Sequence, residues 1–229
     1  MRRSLLLLLL ALCAVLAWRS GLRLPDRHLP WTPLSPATAP NWLTGYKLGR
    51  FDDDPQACLR FLRQTALRFE PLEDRSTGDG CGFFDAVRID GGPVAYTAPF
   101  STTCRLAASI ALWQRHVVQP AARNTLSAEV RRIDHYGSYA CRNIDNRATG
   151  RRSEHALANA WDVAGFRLDN GDRITVASHW VGDEAGARFL GQVHDGACDL
   201  FSTTLGPAHN EAHADHFHLD ARGGFPVCR

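Results

Sequence analysis

The sequence predicts an α+β fold, a small and mainly antiparallel sheet packed with helices. Three observations predict it. Apolar residues recur at helical spacing within 55–69, 103–118 and 184–201. Short segments at 83–89, 94–96, 129–141, 160–168, 174–177 and 216–219 read instead as strands. The two kinds of segment do not alternate as regular crossover units, which favours a mainly antiparallel sheet.

The first helix begins at Asp54-Pro55, a good start signal, and repeats its apolar face through Cys58, Phe61, Leu62, Ala66 and Phe69. A Gly-rich turn at Gly78–Gly82 separates it from the strands at 83–89 and 94–96. The apolar helix at 103–118 is expected to be buried and to end near Pro120. Beyond it come a strand or hairpin at 129–141, strands at 160–168 and 174–177, a helix at 184–201 and a last short strand at 216–219. There is no internal repeat.

The N-terminus has a different composition. Arg2 and Arg3 precede the unbroken apolar run Leu5–Trp18, whose 14 residues are too few to cross about 30 Å of hydrocarbon comfortably. Residues 1–18 read as a secretion signal, with Val15 and Ala17 as small residues before a cleavage site. Left uncleaved, residues 5–18 would act as a signal anchor tethering the chain to an inner membrane. Either way the chain leaves the cytosol for the periplasm or the exterior. Residues 19–45 carry Pro25, Pro30, Pro33, Pro36 and Pro40 and read as a linker, leaving 46–229 as the folded domain.

Cysteine use agrees with export. Apart from Cys13 in the signal, Cys58, Cys81, Cys104, Cys141, Cys198 and Cys228 form an even set with no C-x-x-C spacing. Three disulfides are expected, and all fifteen pairings remain open. The charge excludes a partner class: 24 acidic residues face 26 basic ones, of which Arg2 and Arg3 belong to the signal. Such a balanced surface makes no electrostatic case for nucleic acid.

The chemistry concentrates near the C-terminus. His209, His213, His216 and His218 lie within ten residues, a clustering that suggests a metal site. On a strand, His216 and His218 share one face while Phe217 and Leu219 take the core side. A second His and a carboxylate occur in Ser153-Glu-His155-Ala-Leu-Ala-Asn-Ala160-Trp-Asp162. Asp162 shares its strand face with the small residues Ala160 and Ala164, which leaves room for an ion. Because His155 and Asp162 are seven positions apart, one continuous strand would point them opposite ways. The chain must therefore turn between them, and Ser153 can start a helical turn there.

His155, Asp162 and His218 make a three-ligand set that leaves a fourth tetrahedral position open on Zn²⁺, the layout of a hydrolytic centre. Asp215 and His216 are placed to accept a proton and stabilise charge; Glu211 and His213 are nearby but weaker competitors. In His135-Tyr-Gly-Ser-Tyr139-Ala-Cys141-Arg142, an extended chain would put Arg142 over Ser138 and Ala140, where its fork could grip a substrate carboxylate.

Ser153-x-His155-x-x-Ala158-x-Ala160-x-Asp162 with Asp215-His216-Phe217-His218 resembles the signatures of zinc peptidases typified by D-Ala-D-Ala carboxypeptidases, to which the hedgehog signalling domain is related. Gly137-Ser-Tyr-x-Cys141-Arg142, Asn159–Phe166 and His213-x-Asp215-His216-Phe217-His218-Leu219-Asp220 look more narrowly like bacterial extensin-like C-terminal domain proteins, over roughly residues 45 to 229. The resemblance implies a hedgehog/D-Ala-D-Ala peptidase-like α+β fold, zinc held by His155, Asp162 and His218, catalytic roles for Asp215 and His216, and substrate binding by Arg142 and Ser153. The peptidases usually carry Gly where this chain has Ala158, a departure that bears on local backbone geometry. The expected function is a secreted or membrane-tethered zinc peptidase acting on peptide stems or crosslinks of peptidoglycan. The competing expectation is a disulfide-stabilised wall-binding domain that keeps the pocket without turnover.

Overall fold

The computed structural model describes residues 25–182 and 184–229, with positions 5, 6, 9, 12, 15, 16 and 19–21. Most of the signal segment Leu5–Trp18, including Cys13, lies outside the described residues. No helix among the described residues is long and apolar enough to cross a membrane. The chain divides into two units, Met1–Pro33 and Leu34–Arg229. In the first, the described residues within 5–19 are helical and Asp26–His28 forms a 3₁₀ turn. The second therefore begins inside the Pro-rich stretch.

In the second unit, helix α1 (Thr44–Gly49) buries Leu48, and α2 (Pro55–Leu62) is capped by Asp54, whose side chain accepts the Ala57 amide. The helical pattern predicted to 69 stops at Leu62. Phe69 belongs instead to strand β1 (Arg68–Pro71), which joins β4 (Ala86–Gly91) and β6 (Phe100–Thr103) in a three-stranded antiparallel sheet. Strands β2 (Arg75–Gly78) and β3 (Cys81–Phe83) form a separate hairpin. The strand expected at 83–89 is broken because Asp85 adopts a left-handed backbone with φ of 45°.

The largest sheet has seven strands and supports the candidate site. With β5 (Ala95–Tyr96), β7 (Val130–Gly137), β8 (Ala160–Leu168), β9 (Arg173–Thr175), β10 (Thr203–Leu205), β11 (Phe217–Asp220) and β12 (Val227–Cys228), its order is β12-β10-β11-β8-β7-β5, and β9 pairs with β8. The pairings of β8 with β7, β9 and β11 and of β10 with β11 are antiparallel, whereas β5–β7 and β10–β12 are parallel. The fold is thus mixed α and β with mainly antiparallel sheets and few helices, distributed over three sheets rather than one small one.

Helices α3 (Cys104–Trp113) and α4 (Gln119–Leu126) are joined by a π-helical turn, Gln114–Val118. Helical structure therefore runs past Pro120, against the sequence expectation. Pro120 falls in the first turn of α4, where a missing N–H is tolerated, and the π turn re-phases the hydrogen bonds just upstream. Similarly, the strand expected at 174–177 ends at Thr175 and turns into the short helix α5 (Val176–His179). Helix α6 (Ala185–Ala197) buries Phe189, Leu190 and Val193. Edge-on ring contacts of 6.3 Å between Trp113 and Trp161, and 5.0 Å between Phe166 and Phe189, pack α3 and α6 against the inner face of β8. Three disulfides, Cys58–Cys104, Cys81–Cys141 and Cys198–Cys228, close the framework and point to an extracellular or periplasmic compartment.

Candidate metal centre

Strand β11 obeys the alternation expected of it: Phe217 and Leu219 are buried in the core, and His218 faces the other way. Its antiparallel register with β8 sets His218 directly opposite Asp162. Trp161 and Val163 hold the core side of β8, so Asp162 is left on the outer face.

His155 reaches the same place from outside the sheet. After β7 the chain passes Ser138–Asn143 and returns antiparallel, with Ala140 N–H donating to the His155 carbonyl at 3.0 Å and Ser153 N–H to the Arg142 carbonyl at 3.0 Å. Ser153 then caps a 3₁₀ helix, Glu154–Leu157, its hydroxyl accepting the His155 amide at 3.4 Å. Ala158 reverses the chain into β8 with φ of 52°. An L-residue in that conformation costs about 1–2 kcal/mol, which explains why Gly suits the position. Its carbonyl accepts bonds from Thr103 N–H and the Thr102 hydroxyl, both at 3.0 Å, and these anchor the turn.

The side chains of three residues from these segments form a small triangle. His218 Nδ1 is 3.0 Å from Asp162 Oδ1, His155 Nε2 is 3.2 Å from Asp162 Oδ2, and the two ring nitrogens are 3.2 Å apart. A tetrahedral zinc with bonds of about 2.0–2.1 Å sets its ligands roughly 3.3 Å apart, so the triangle has the size such an ion needs. Each imidazole also has an outer partner. His155 Nδ1 donates to the Ser138 carbonyl at 3.2 Å, which turns Nε2 inward as an acceptor, and His218 Nε2 lies 3.7 Å from Asp220 Oδ2. Acceptor atoms facing one another at this separation call for a positive centre.

In the metal-free chain a proton supplies that charge. Burial disfavours the His218 cation, but bonds to Asp162 and Asp220 outweigh it and raise the ring to about 9. Burial likewise pushes the Asp162 carboxyl upward, and His155 and His218 overcome this, holding it well below the usual carboxylate range.

Asp215 and His216 lie beside the triangle. His216 Nδ1 is 2.8 Å from Asp215 Oδ1, and its Nε2 is 3.7 Å from Asp162 Oδ1, so the ring spans from Asp215 to the cluster. The His216 hydrogen bond lowers Asp215 against a smaller effect of burial, and a second bond from the Tyr136 hydroxyl, 3.0 Å from Oδ2, adds to it. His213 packs its ring 5.3 Å from His216 and 5.8 Å from His218; burial and those neighbouring rings depress it to about 4. Glu211 is exposed in the preceding 3₁₀ turn. Arg142 is half-buried, and its guanidinium makes no hydrogen bond or ion pair with another described residue. Ser153 is buried as the cap of the ligand turn.

Tyr136, Ser138 and Asp220 escaped the sequence reading. Asp220 had a signal, since it stands two residues beyond His218 on a strand and therefore shares its face. Tyr136 had none: the β7 register shifts between His135 and Gly137, leaving Tyr136 unpaired and swung outward over the site. Ser138 acts through its carbonyl, which no side-chain pattern reveals.

Residues 56–229 match the family model described as Extensin-like protein C-terminus. No curated protein and no solved structure matches the chain.

Proposed function

The chain belongs to the Extensin-like protein C-terminus family, and from that premise and the geometry of its polar cluster we propose that it is an exported zinc-dependent peptidase acting on peptide stems or crosslinks of peptidoglycan. One observation carries the reading: His155, Asp162 and His218, drawn from three chain segments, converge to within 3.0–3.2 Å, with an outer polar partner behind each ring, a hydrogen bond to the Ser138 carbonyl for His155 and the Asp220 carboxylate at 3.7 Å for His218. Such a set leaves part of the coordination sphere to substrate, as catalytic zinc sites do and closed structural sites do not. We also infer kinship with the D-Ala-D-Ala carboxypeptidases and the hedgehog domain, supported by the Ser153–Asp162 and Asp215–His218 motifs.

Zinc held by these three residues would supply Lewis-acid polarisation and an activated water. Proton handling then falls to the chain. His216 Nε2 at the rim of the cluster accepts a proton from the attacking water, and Asp215 grips Nδ1 and stabilises the resulting imidazolium. The same ring returns the proton to the departing amine. Tyr136 keeps Asp215 ionised and oriented through its hydroxyl. Arg142, with its guanidinium uncommitted among the described residues, is the group proposed to bind a substrate carboxylate, and Ser153 holds the ligand turn.

The test is metal content followed by digestion of sacculi. The purified protein should hold one zinc per chain and release muropeptides of altered mass. His155→Ala should abolish both, and Asp215→Ala only the cleavage. Tight zinc without cleavage of any muropeptide would overturn the peptidase reading in favour of a wall-binding domain.

A further inference from the structure

Beyond the triangle, the same sheet face carries a row of three arginines. Arg132 on β7 pairs in register with Arg167 on β8, which pairs in turn with Arg173 on β9. Like charges set directly opposite one another across strands destabilise a sheet unless something compensates them. The compensation is Asp134, two residues along from Arg132 and buried, with 9% of its side chain exposed. Nε of Arg167 and Arg173 donates to it at 3.3 and 3.0 Å, and Nε of Arg132 lies 2.9 Å away in an ion pair without hydrogen-bond alignment. Burial alone would raise the Asp134 carboxyl, but the arginines more than reverse this and keep it charged.

One carboxylate cannot neutralise three guanidinium groups, and using Nε as the anchor leaves the terminal forks free. The Nη nitrogens of Arg132, Arg167 and Arg173 make no hydrogen bond to another described residue, while 38–53% of each side chain is exposed. They line a cleft of about 490 Å³ whose lining also includes Tyr136 and Asp215, the groups beside the candidate metal centre. The cleft's other acid, Asp215, is already engaged by His216 and Tyr136. Small residues, Ala164 and Gly165, occupy β8 between Asp162 and Arg167, so no bulky side chain from that strand separates the two ends. The strand spans roughly 16 Å between them, and the arginines lean back toward Asp134, which pairs with Gly165, so the gap from the cluster to the forks is shorter, roughly 10–16 Å.

We propose that this arginine fan is a second substrate subsite, binding a carboxylate set about three to five residues of extended peptide away from the cleaved bond. It is distinct from Arg142, and it rests on the peptidase reading for the nature of its ligand. The planar forks suit a carboxylate, and the fixed Nε anchors pre-orient them before the substrate arrives.

The probes are a synthetic muropeptide stem with its internal carboxylates free and the same stem with them amidated. Binding is measured on full-length, zinc-stripped protein, and KM and kcat on the zinc-loaded form. The free-acid stem should bind the wild type about tenfold or more tightly than the amide, as charge-assisted pairs at a part-exposed site allow. The double variant Arg167→Gln/Arg173→Gln, which leaves Arg132 beside Asp134, should bring the two stems within about twofold and raise KM more than it changes kcat. Equal binding of both stems by the wild type overturns the subsite, as does a preference that survives in the double variant. Should that variant not fold, the wild-type comparison alone decides. Preference without cleavage removes the peptidase and keeps the subsite; cleavage without preference does the reverse.

Discussion

Asp162 and His218 stand directly opposite one another on β8 and β11, with Oδ1 and Nδ1 3.0 Å apart. The sheet register thus fixes two of the three candidate ligands, and it is itself fixed by the core, because Trp161 and Leu219 are the neighbouring buried pair. A slip of β11 by one residue would expose Leu219 and turn His218 inward, away from Asp162. Asp162→Ala should therefore leave the fold intact but weaken zinc binding by at least about 100-fold, since loss of an outer partner alone costs 10–100-fold. Competition with a chromogenic chelator measures it. Wild-type affinity in that variant would place the metal elsewhere.

The metal-free protein should lose stability as pH rises. His218 is raised from 6.5 to about 9 in the folded chain, so the fold binds its proton more tightly than the unfolded chain does. The stabilisation is fully present below about pH 6.5 and disappears as pH passes through about 9, a change of a few kcal/mol. Melting temperatures of chelator-treated protein should fall across that interval, and His218→Ala should remove the trend. Zinc replaces the proton, so loading near pH 7.5 should release about one proton per ion, read from binding heats in buffers of different ionisation enthalpy. A flat melting profile with no proton release would contradict the charge assigned to the His218 ring.

The contact between Tyr136 and Asp215 separates orientation from ligation. Tyr136→Phe removes the hydroxyl 3.0 Å from Asp215 Oδ2 and leaves the exposed ring in place, so neither fold nor zinc content should change. Turnover should drop about tenfold, against the 10²–10⁴-fold expected for Asp215→Asn, which disables the proton path itself. Burial and the Asp215 charge both raise the Tyr136 hydroxyl, so it stays a donor throughout the neutral range. Parallel zinc analysis and kinetics test both variants. Unchanged turnover in Tyr136→Phe would reduce its bond to a surface contact.

The parts of this molecule legible in its sequence are those governed by local alternation. Phe217 and Leu219 against His218, and Trp161 and Val163 against Asp162, declare the two faces of β11 and β8 without any knowledge of the fold. The turn carrying His155 was also readable, because an odd spacing on one strand could not have joined it to Asp162. What local pattern could not supply was register. The β7 bulge that presents Tyr136, and the alignment of Arg132, Arg167 and Arg173 across three strands, depend on pairings between segments far apart in the chain. Abundant arginine hid that row, since no single one stands out. Pro120 misled for a related reason: its effect depends on the π turn before it, which has no simple composition signal.

The disulfide Cys81–Cys141 should matter to the metal as well as to the fold. It ties β3 to the segment whose Ala140 amide and Arg142 carbonyl hold the turn bearing His155. Its sequence separation of 60 residues gives a loop-closure contribution of roughly 4 kcal/mol, less to the extent that Cys58–Cys104 already constrains the overlapping loop. Replacing both cysteines with serine should therefore destabilise the protein by about 2–4 kcal/mol and also weaken zinc affinity about tenfold, because His155 loses its fixed position. The Cys58→Ser/Cys104→Ser pair is the control. That bridge joins α2 to the start of α3 and reaches the ligand turn only indirectly, through the neighbouring Thr102 and Thr103 bonds to the Ala158 carbonyl, so its loss should cost comparable stability with a clearly smaller effect on affinity in the folded protein. Denaturant unfolding and chelator competition on the two double variants distinguish these outcomes. Equal loss of zinc affinity in both would mean that the metal responds to general stability alone, not to the tether behind His155.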